Sequence, residues 1–402
     1  MMSILSQRYI SKTEVIRENT GKVDIGIYKR DGSEVIINFK SEGMQITALG
    51  ASGSGKTETL RRIAAEFFRK NKDSYVFVID RKDTRDPPYM EYYFLEENEN
   101  LKSYLKKFDK EVYTLPTKRF IPRPKTKLGE NETEFKIPYS MLNIDMIREF
   151  FNINITTRYY RRVYDILREF KHNLKKSKRN PLETLINSIR TIEASSRDGP
   201  ESVMNYAIDV FNSLINDKLF GNQEFEPEKD AINVLDLRPS KREVLTSHED
   251  IFYVGAWINM IYEWWTGIPK AKRPKVLLVI DEAHNYFRRD TWTLAKENLT
   301  KLLREGRVQG FSVVLATQFM RNVDPSILEG TRWWLLIGYL TSSRDKNYIC
   351  DLSRTKRKDL KVAIATTPKE EMKLRKKMRG RGWVIFQSGL PWEVVYYVAP
   401  TK

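Results

Sequence analysis

The chain has 402 residues, enough for two or three domain-sized units or for one core with insertions, and its 41% hydrophobic and 31% charged residues exclude a disordered chain and a coiled coil. Lys and Arg total 70 against 53 Asp and Glu, a formal charge of +17 that fits an anionic partner such as nucleic acid or a membrane surface, or a generically basic protein rich in Lys, Arg and Glu. A single cysteine, Cys350, excludes an intramolecular disulfide and a Cys-based zinc site and is compatible with a reducing, cytoplasmic setting, while the scattered His172, His248 and His284 argue against a histidine metal cluster.

Residues 1–17 carry no apolar core of the kind a signal peptide needs. Lys22–Tyr28 and Glu34–Phe39 read as a hairpin around Arg30-Asp31-Gly32. An apolar strand, Gln45–Leu49, runs into a glycine-rich loop. From Ser54 to Arg69, Leu60, Ile63, Ala64 and Phe67 recur at helical spacing, and Tyr75–Asp80 is a second buried strand. Strand, loop, helix and strand make a βαβ unit and so a parallel sheet.

Residues 84–230 are rich in Tyr, Lys, Asn and Glu. They read as a mostly helical insertion, with helices at Asp145–Phe151, Thr157–Phe170, Pro181–Thr191 and Ser202–Ile215 and an extended basic loop at Pro116–Gly129. A set of surface loops without a shared core is the alternative. Strands resume at Ala231–Leu237, followed by a helix Ile251–Trp265, strand Lys275–Ile280, helix Thr293–Glu305 and strands Phe311–Thr317 and Trp333–Tyr339. A basic helical stretch, Asp345–Met378, precedes two final strands, Trp383–Gln387 and Trp392–Val398. The longest apolar run, Trp333–Leu340, is far short of the roughly 20 residues that span a bilayer, so no transmembrane segment is expected. The expected fold is α/β with a mostly parallel, doubly wound sheet: a β segment at 1–43, a core at 44–83 and 231–402, and the insertion at 84–230.

Gly50-Ala51-Ser52-Gly53-Ser54-Gly55-Lys56-Thr57 fits G-x-x-x-x-G-K-[ST] between a strand and a helix. Glycines allow successive N–H groups to turn inward as an anion nest, and the helix start adds its dipole. Lys56 then reaches the β- and γ-phosphates of ATP, and the Thr57 hydroxyl is a Mg²⁺ ligand. Lys275–Ile280 ends in Asp281-Glu282, at the carboxyl edge where α/β sheets bind ligands. Asp281 suits the metal and Glu282 the attacking water; a solvated acidic turn is the alternative. Gln318, after strand Phe311–Thr317, can hydrogen-bond the γ-phosphate or that water. Asp80 is available to support the metal site, with Arg81 and Lys82 facing DNA. His284 has either a coupling role or a structural one. Arg304 and Arg307 are candidates for an arginine finger, or simply cations at a helix C-terminus with Gly306 as its cap.

The runs VIDEAHNYF (Val279–Phe287), LLREGRVQGFSVVLATQ (Leu302–Gln318) and NVDPSILEG (Asn322–Gly330) together resemble the HerA branch of the FtsK–HerA superfamily. INVLDL (Ile232–Leu237) and the phosphate loop resemble its other blocks. The resemblance implies a RecA-like ATPase core, a homo-hexameric ring with double-stranded DNA in its channel, and ATP-driven DNA translocation. It implies Gly50, Ser52, Gly53, Ser54, Gly55, Lys56 and Thr57 for nucleotide, Thr57 and Asp281 for Mg²⁺, Glu282 as catalytic base and Gln318 as sensor. Arg304 or Arg307 would act on a neighbour's ATP. Only about 43 residues precede the core, against an N-terminal β-barrel of about a hundred in HerA repair enzymes that docks a nuclease. A nuclease, a capsid or a DNA-transfer apparatus are all open as partners. The rival reading is a secretion or assembly ATPase acting on protein.

Four basic stretches suit phosphate contact: Lys118–Lys127, Lys171–Arg179, Arg354–Lys361 and Lys373–Arg381. The plainer reading of any one of them is a solvated face. Trp333-Trp334 suits core packing better than stacking on bases.

Overall fold

The computed structural model describes residues 17–39, 42–81, 99–110, 115–153, 158–176, 180–195, 201–244, 248–386 and 390–398. Their strands are β1 (Lys22–Tyr28), β2 (Glu34–Asn38), β3 (Gln45–Leu49), β4 (Ser74–Asp80), β5 (Thr117–Pro122), β6 (Glu132–Phe135), β7 (Ile137–Pro138), β8 (Phe220–Gly221), β9 (Ile232–Asp236), β10 (Lys275–Ile280), β11 (Phe311–Thr317), β12 (Trp333–Ile337), β13 (Arg381–Phe386) and β14 (Trp392–Tyr396). The helices are α1 (Lys56–Lys70), α2 (Glu99–Lys106), α3 (Ile144–Phe150), α4 (Arg158–Lys176), α5 (Pro181–Ser195), α6 (Glu201–Asn216), α7 (Glu249–Gly267), α8 (Leu294–Gly306), α9 (Pro325–Leu328), α10 (Ser343–Ser353) and α11 (Pro368–Met378).

Twelve strands form one sheet in the order β2-β1-β14-β13-β12-β3-β11-β10-β4-β9-β5-β6. From β12 to β6 every pairing is parallel, and from β12 to β2 every pairing is antiparallel. The fold is the expected α/β sheet, and the N-terminal hairpin extends it through β14.

Alternation along the strands builds two apolar layers. Val276, Leu278 and Ile280 of β10 pack on one side with Phe77 and Ile79 of β4. Leu277 and Val279 pack on the other with Val76 and Val78. Successive side chains leave opposite faces of a strand, so a run buried on both faces must be apolar throughout. α1 covers the second face with Leu60, Ile63, Ala64, Phe67 and Phe68. Helices α3 to α8 and α10 cover the first.

Pro116–Gly129 departs from the expected loop. Its residues Thr117–Pro122 are strand β5, which pairs with β9 and carries β6 at the sheet edge. Buried Arg119 sits in this strand because Asp236 accepts its guanidinium at 3.0 Å. Helices from 84–230 share the apolar layer of the sheet rather than a separate core. The helical stretch Asp345–Met378 is two helices, α10 and α11, separated by residues 354–367. Gly306 is right-handed helical, and Gly310, with φ 90°, is the left-handed residue that ends the α8 segment. Trp333 and Trp334 are buried in β12.

Candidate functional site

The phosphate loop joins β3 to α1. Gly53 and Gly55 have φ of 74° and 107°, where a side chain is strained. A Cβ at Gly50 would strike the Ile337 carbonyl at the end of β12, and one at Gly55 would lie 2.6 Å from Val398 Cγ1. Ala51 N–H donates to the Tyr339 carbonyl at 2.9 Å, fastening the loop to the segment after β12. Lys56 is buried, and its ammonium donates to the carbonyls of Gly50 (2.8 Å) and Ala51 (3.0 Å).

The acid strand supplies the facing wall. Thr57 Oγ1 donates to Asp281 Oδ2 at 2.6 Å, joining the first turn of α1 to the end of β10. Asp281 Oδ1 accepts the Glu282 N–H at 2.9 Å. Glu282 itself has φ 53° and ψ 45°, a left-handed backbone that costs a non-glycine residue about 1–2 kcal/mol. Its Oε1 accepts from Gln318 Nε2 at 2.6 Å. The strand order explains this meeting. β11 lies between β3 and β10, so its last side chains fall between the loop and the acids.

His284 Nδ1 is 3.1 Å from Thr317 Oγ1 and 3.6 Å from Glu282 Oε2, and its ring meets Phe319 edge-on. Burial lowers its pKa below the ordinary value, against the pull of Glu282. A cavity of about 340 Å³ opens here, lined by Asp80, Arg81, Asp281, Glu282, His284 and Gln318 among others. A larger cleft of about 690 Å³, beside Asn71, Tyr75, Arg273 and Lys275, holds none of the phosphate-loop or acid-strand residues.

Behind the cavity lies a cluster that motif reading passes over. β4 and β9 each end in aspartate, and Asp80 and Asp236 stand in register. Asp236 is held by Arg119 (3.0 Å) and Arg238 (2.5 Å). Those arginines keep its carboxyl below the ordinary range despite burial. Among the described residues Asp80 Oδ2 has no hydrogen-bond partner; it is buried, 3.9 Å from Arg119, and desolvation raises the Asp80 pKa to about 6. Two strand runs each closing in Asp, YVFVID and INVLD, were the available signal. Arg81 pairs with Asp250 at 2.8 Å. Lys82 lies outside the described residues.

Thr57, Asp281, Glu282 and Gln318 therefore meet, with Lys56 directly before Thr57 at the start of α1. Arg304 and Arg307 do not join them. They sit where α8 gives way to the start of β11, the whole of that seven-residue strand, about 20 Å, from Gln318. Arg304 is exposed. Of the basic stretches, Lys118–Lys127 is largely committed internally: Arg119 to Asp236, Arg123 to Asp217 and Glu249, Lys125 to the Pro239 carbonyl. Lys171 donates to the Ser140 carbonyl at 2.7 Å, and 177–179 lie outside the described residues. Lys356, Arg357, Lys358, Lys373, Lys376 and Lys377 are exposed.

A mostly parallel sheet carrying a G-x-x-x-x-G-K-T loop opposite an acid strand, with a third strand between them, defines a P-loop protein with a RecA-like core. The chain belongs to the HerA helicase family: the family model for "Helicase HerA, central domain" matches residues 23–254, running through the helical segment and stopping before the acid strand. It is similar to the DNA double-strand break repair helicase HerA of Sulfolobus acidocaldarius, 24% identical over 87% of this chain and 65% of that one. It is also similar to the probable helicase MJECL08 of Methanocaldococcus jannaschii, 21% identical over 88% of this chain and 68% of that one. The chain thus spans about two thirds of the length of these relatives. Among solved structures, VirB4 of Thermoanaerobacter pseudethanolicus superposes with a TM-score of 0.58 at 16% identity, covering 96% of this chain and 98% of that one. The conjugative coupling protein TrwB superposes at 0.54 with 14% identity, over 94% and 88%. Both share the fold.

Among the described residues no helix is long and apolar enough to cross a membrane, and no cluster of three or more His, Cys, Asp or Glu is arranged as a self-sufficient metal site. One hydroxyl and one carboxylate can serve Mg²⁺, and the buried Lys56 beside the glycine loop suits the polyphosphate that would carry it. That ion takes few protein ligands and fills its shell with phosphate and water.

Proposed function

We propose that the protein is an ATPase that moves along double-stranded DNA. The observation that carries the reading is the pair of 2.6 Å contacts, Thr57 to Asp281 and Gln318 to Glu282, which tie the first turn of α1 and the end of β11 to two acids that line one cavity. In this reading the phosphate loop from Gly50 to Gly55 holds ATP and Lys56 compensates its β- and γ-phosphates. Thr57 and Asp281 hold Mg²⁺, which when bound neutralises charge on the transferring phosphoryl group. Glu282 accepts the proton of the attacking water, and Gln318 fixes the direction of that carboxylate. Arg304 or Arg307, remote from the cavity of their own chain, serve a neighbouring subunit in a homo-hexamer.

The net charge of +17 and the relatives' names as helicases support duplex DNA as the track. Packaging, transfer and repair share this chemistry. Steady-state ATP hydrolysis with and without linear duplex DNA, over a salt series, tests the proposal. Stimulation that fades with salt is expected, because each phosphate neutralised releases counterions. Turnover indifferent to DNA would favour an ATPase that acts on protein.

A further inference from the structure

The C-terminal basic stretch is not uniform. Thr367 caps α11 by accepting from Glu370 N–H, and Glu370 in turn accepts from the Thr366 N–H and hydroxyl. One face of the helix then lies on the phosphate loop. Leu374 and Met378 pack against Ala51, Tyr339 and Ala365, and the Tyr339 hydroxyl donates to Glu371 at 3.4 Å. Positions 371, 374, 375 and 378 are neighbours on a helix surface. Arg375 is therefore carried to the loop by the same face and remains exposed there, as Lys373, Lys376 and Lys377 are elsewhere on the helix.

At the loop, a Cβ on Gly53 would fall onto the Arg375 guanidinium. The next turn locks the arrangement: Arg379 Nη1 donates to the Gly53 carbonyl at 2.9 Å, and Gly380 N–H to the Ser54 carbonyl at 3.0 Å. Among the described residues no carboxylate lies within ion-pair distance of Arg375. A guanidinium with no counter-ion among the described residues, held against the middle glycine of an anion-binding loop, is placed for a charged hydrogen bond to what the loop binds.

We propose that Arg375 contacts the phosphates of the bound nucleotide in cis, as a second cation beside Lys56, with Arg379 anchoring it to the loop. This rests on the ATP reading above. It also separates Arg375 from the arginines proposed to act between subunits.

The test is binding of ATP, ADP and adenosine to the full chain, for wild type, Lys56→Ala, Arg375→Ala, Arg375→Lys and Lys377→Ala. Arg375→Ala is expected to weaken ATP and ADP by about tenfold to a hundredfold, the scale of one charge-assisted hydrogen bond. Adenosine binding should not change, which a merely structural loss would not spare. Arg375→Lys should recover part of the affinity, Lys377→Ala should resemble wild type, and the effect should persist at dilutions where the chain is monomeric. Wild-type ATP binding with an unchanged Arg375→Ala variant would overturn the proposal alone. So would tighter binding by that variant, an effect that vanishes on dilution, or lost DNA binding with intact nucleotide affinity. Failure of wild type to bind ATP any better than Lys56→Ala would instead overturn the ATP reading itself.

Discussion

Gln318 Nε2 donates to Glu282 Oε1 at 2.6 Å, so the residue that leaves β11 holds the carboxylate that leaves β10. Glu282 sits on a left-handed backbone, and its neighbour on the next strand restrains where its side chain can point. A group meant to take a proton needs both reach and direction.

Glu282→Gln is expected to lower ATP turnover by about 10²–10⁴-fold while leaving ATP affinity near wild type, the pattern of a lost general base. Gln318→Ala should lower kcat by a smaller factor, with KM little changed. Steady-state kinetics paired with equilibrium nucleotide binding separates the two. Equal loss of binding and turnover in Glu282→Gln would remove it from the chemical step.

Arginines that serve a neighbour should complement. Lys56→Ala subunits keep Arg304 and Arg307 but lose their own nucleotide grip. Arg304→Ala or Arg307→Ala subunits keep the grip but lose the finger. Each variant alone should be nearly inactive, and a mixture of the two should regain part of the ATP turnover. Mixtures no more active than the sum of their parts would tell against action between subunits.

Asp236 is fully buried and shared by Arg119 and Arg238. Removing one partner of a buried pair leaves the other desolvated, at a cost of about 3–5 kcal/mol. Asp236→Asn and Arg119→Ala should therefore each lower the denaturant midpoint well beyond an exposed-charge control such as Lys358→Ala. Chemical unfolding measures this directly. A small effect would mean that Arg238 alone satisfies the cluster.

Glu149 on α3 accepts the Leu294 N–H at 2.9 Å and so caps α8 from outside, together with Thr293. Burial outweighs that bond and raises its pKa to about 7. The folded protein thus binds this proton more tightly than the unfolded chain does. The group's contribution to stability is full below about pH 4.5 and is lost as pH rises towards 7. Glu149→Gln keeps an acceptor for Leu294 and has nothing to titrate. Melting temperatures from pH 4.5 to 7.5 should fall more in wild type than in the variant. The comparison cancels the contributions of Asp80 and His284. Parallel curves would refute the assignment.

The parts of the fold that the sequence exposes are those where one local rule decides. Gln45–Leu49, Lys275–Ile280 and Phe311–Thr317 have the same bounds by pattern and by structure, because a strand covered on both faces is mostly apolar along its length. The loop and the acid pair are legible for a related reason, since their chemistry needs neighbours in sequence. Thr117–Pro122 was not legible as a strand. Arg119 reads as a solvent residue until Asp236, 117 positions later, supplies its partner. Arg375 was visible only as one of several cations, because its meaning depends on Gly53, more than three hundred residues upstream.

The phosphate loop has an outer wall, and that wall is made late. Gly50 lies against Ile337, Ala51 against Tyr339, Gly53 against Arg375 and Arg379, and Gly55 against Val398. A ribosome delivers the loop long before it delivers any of these. An emerging chain therefore carries the motif before its enclosure, and on the ATP reading nucleotide should stabilise chains that include these late contacts more than shorter ones.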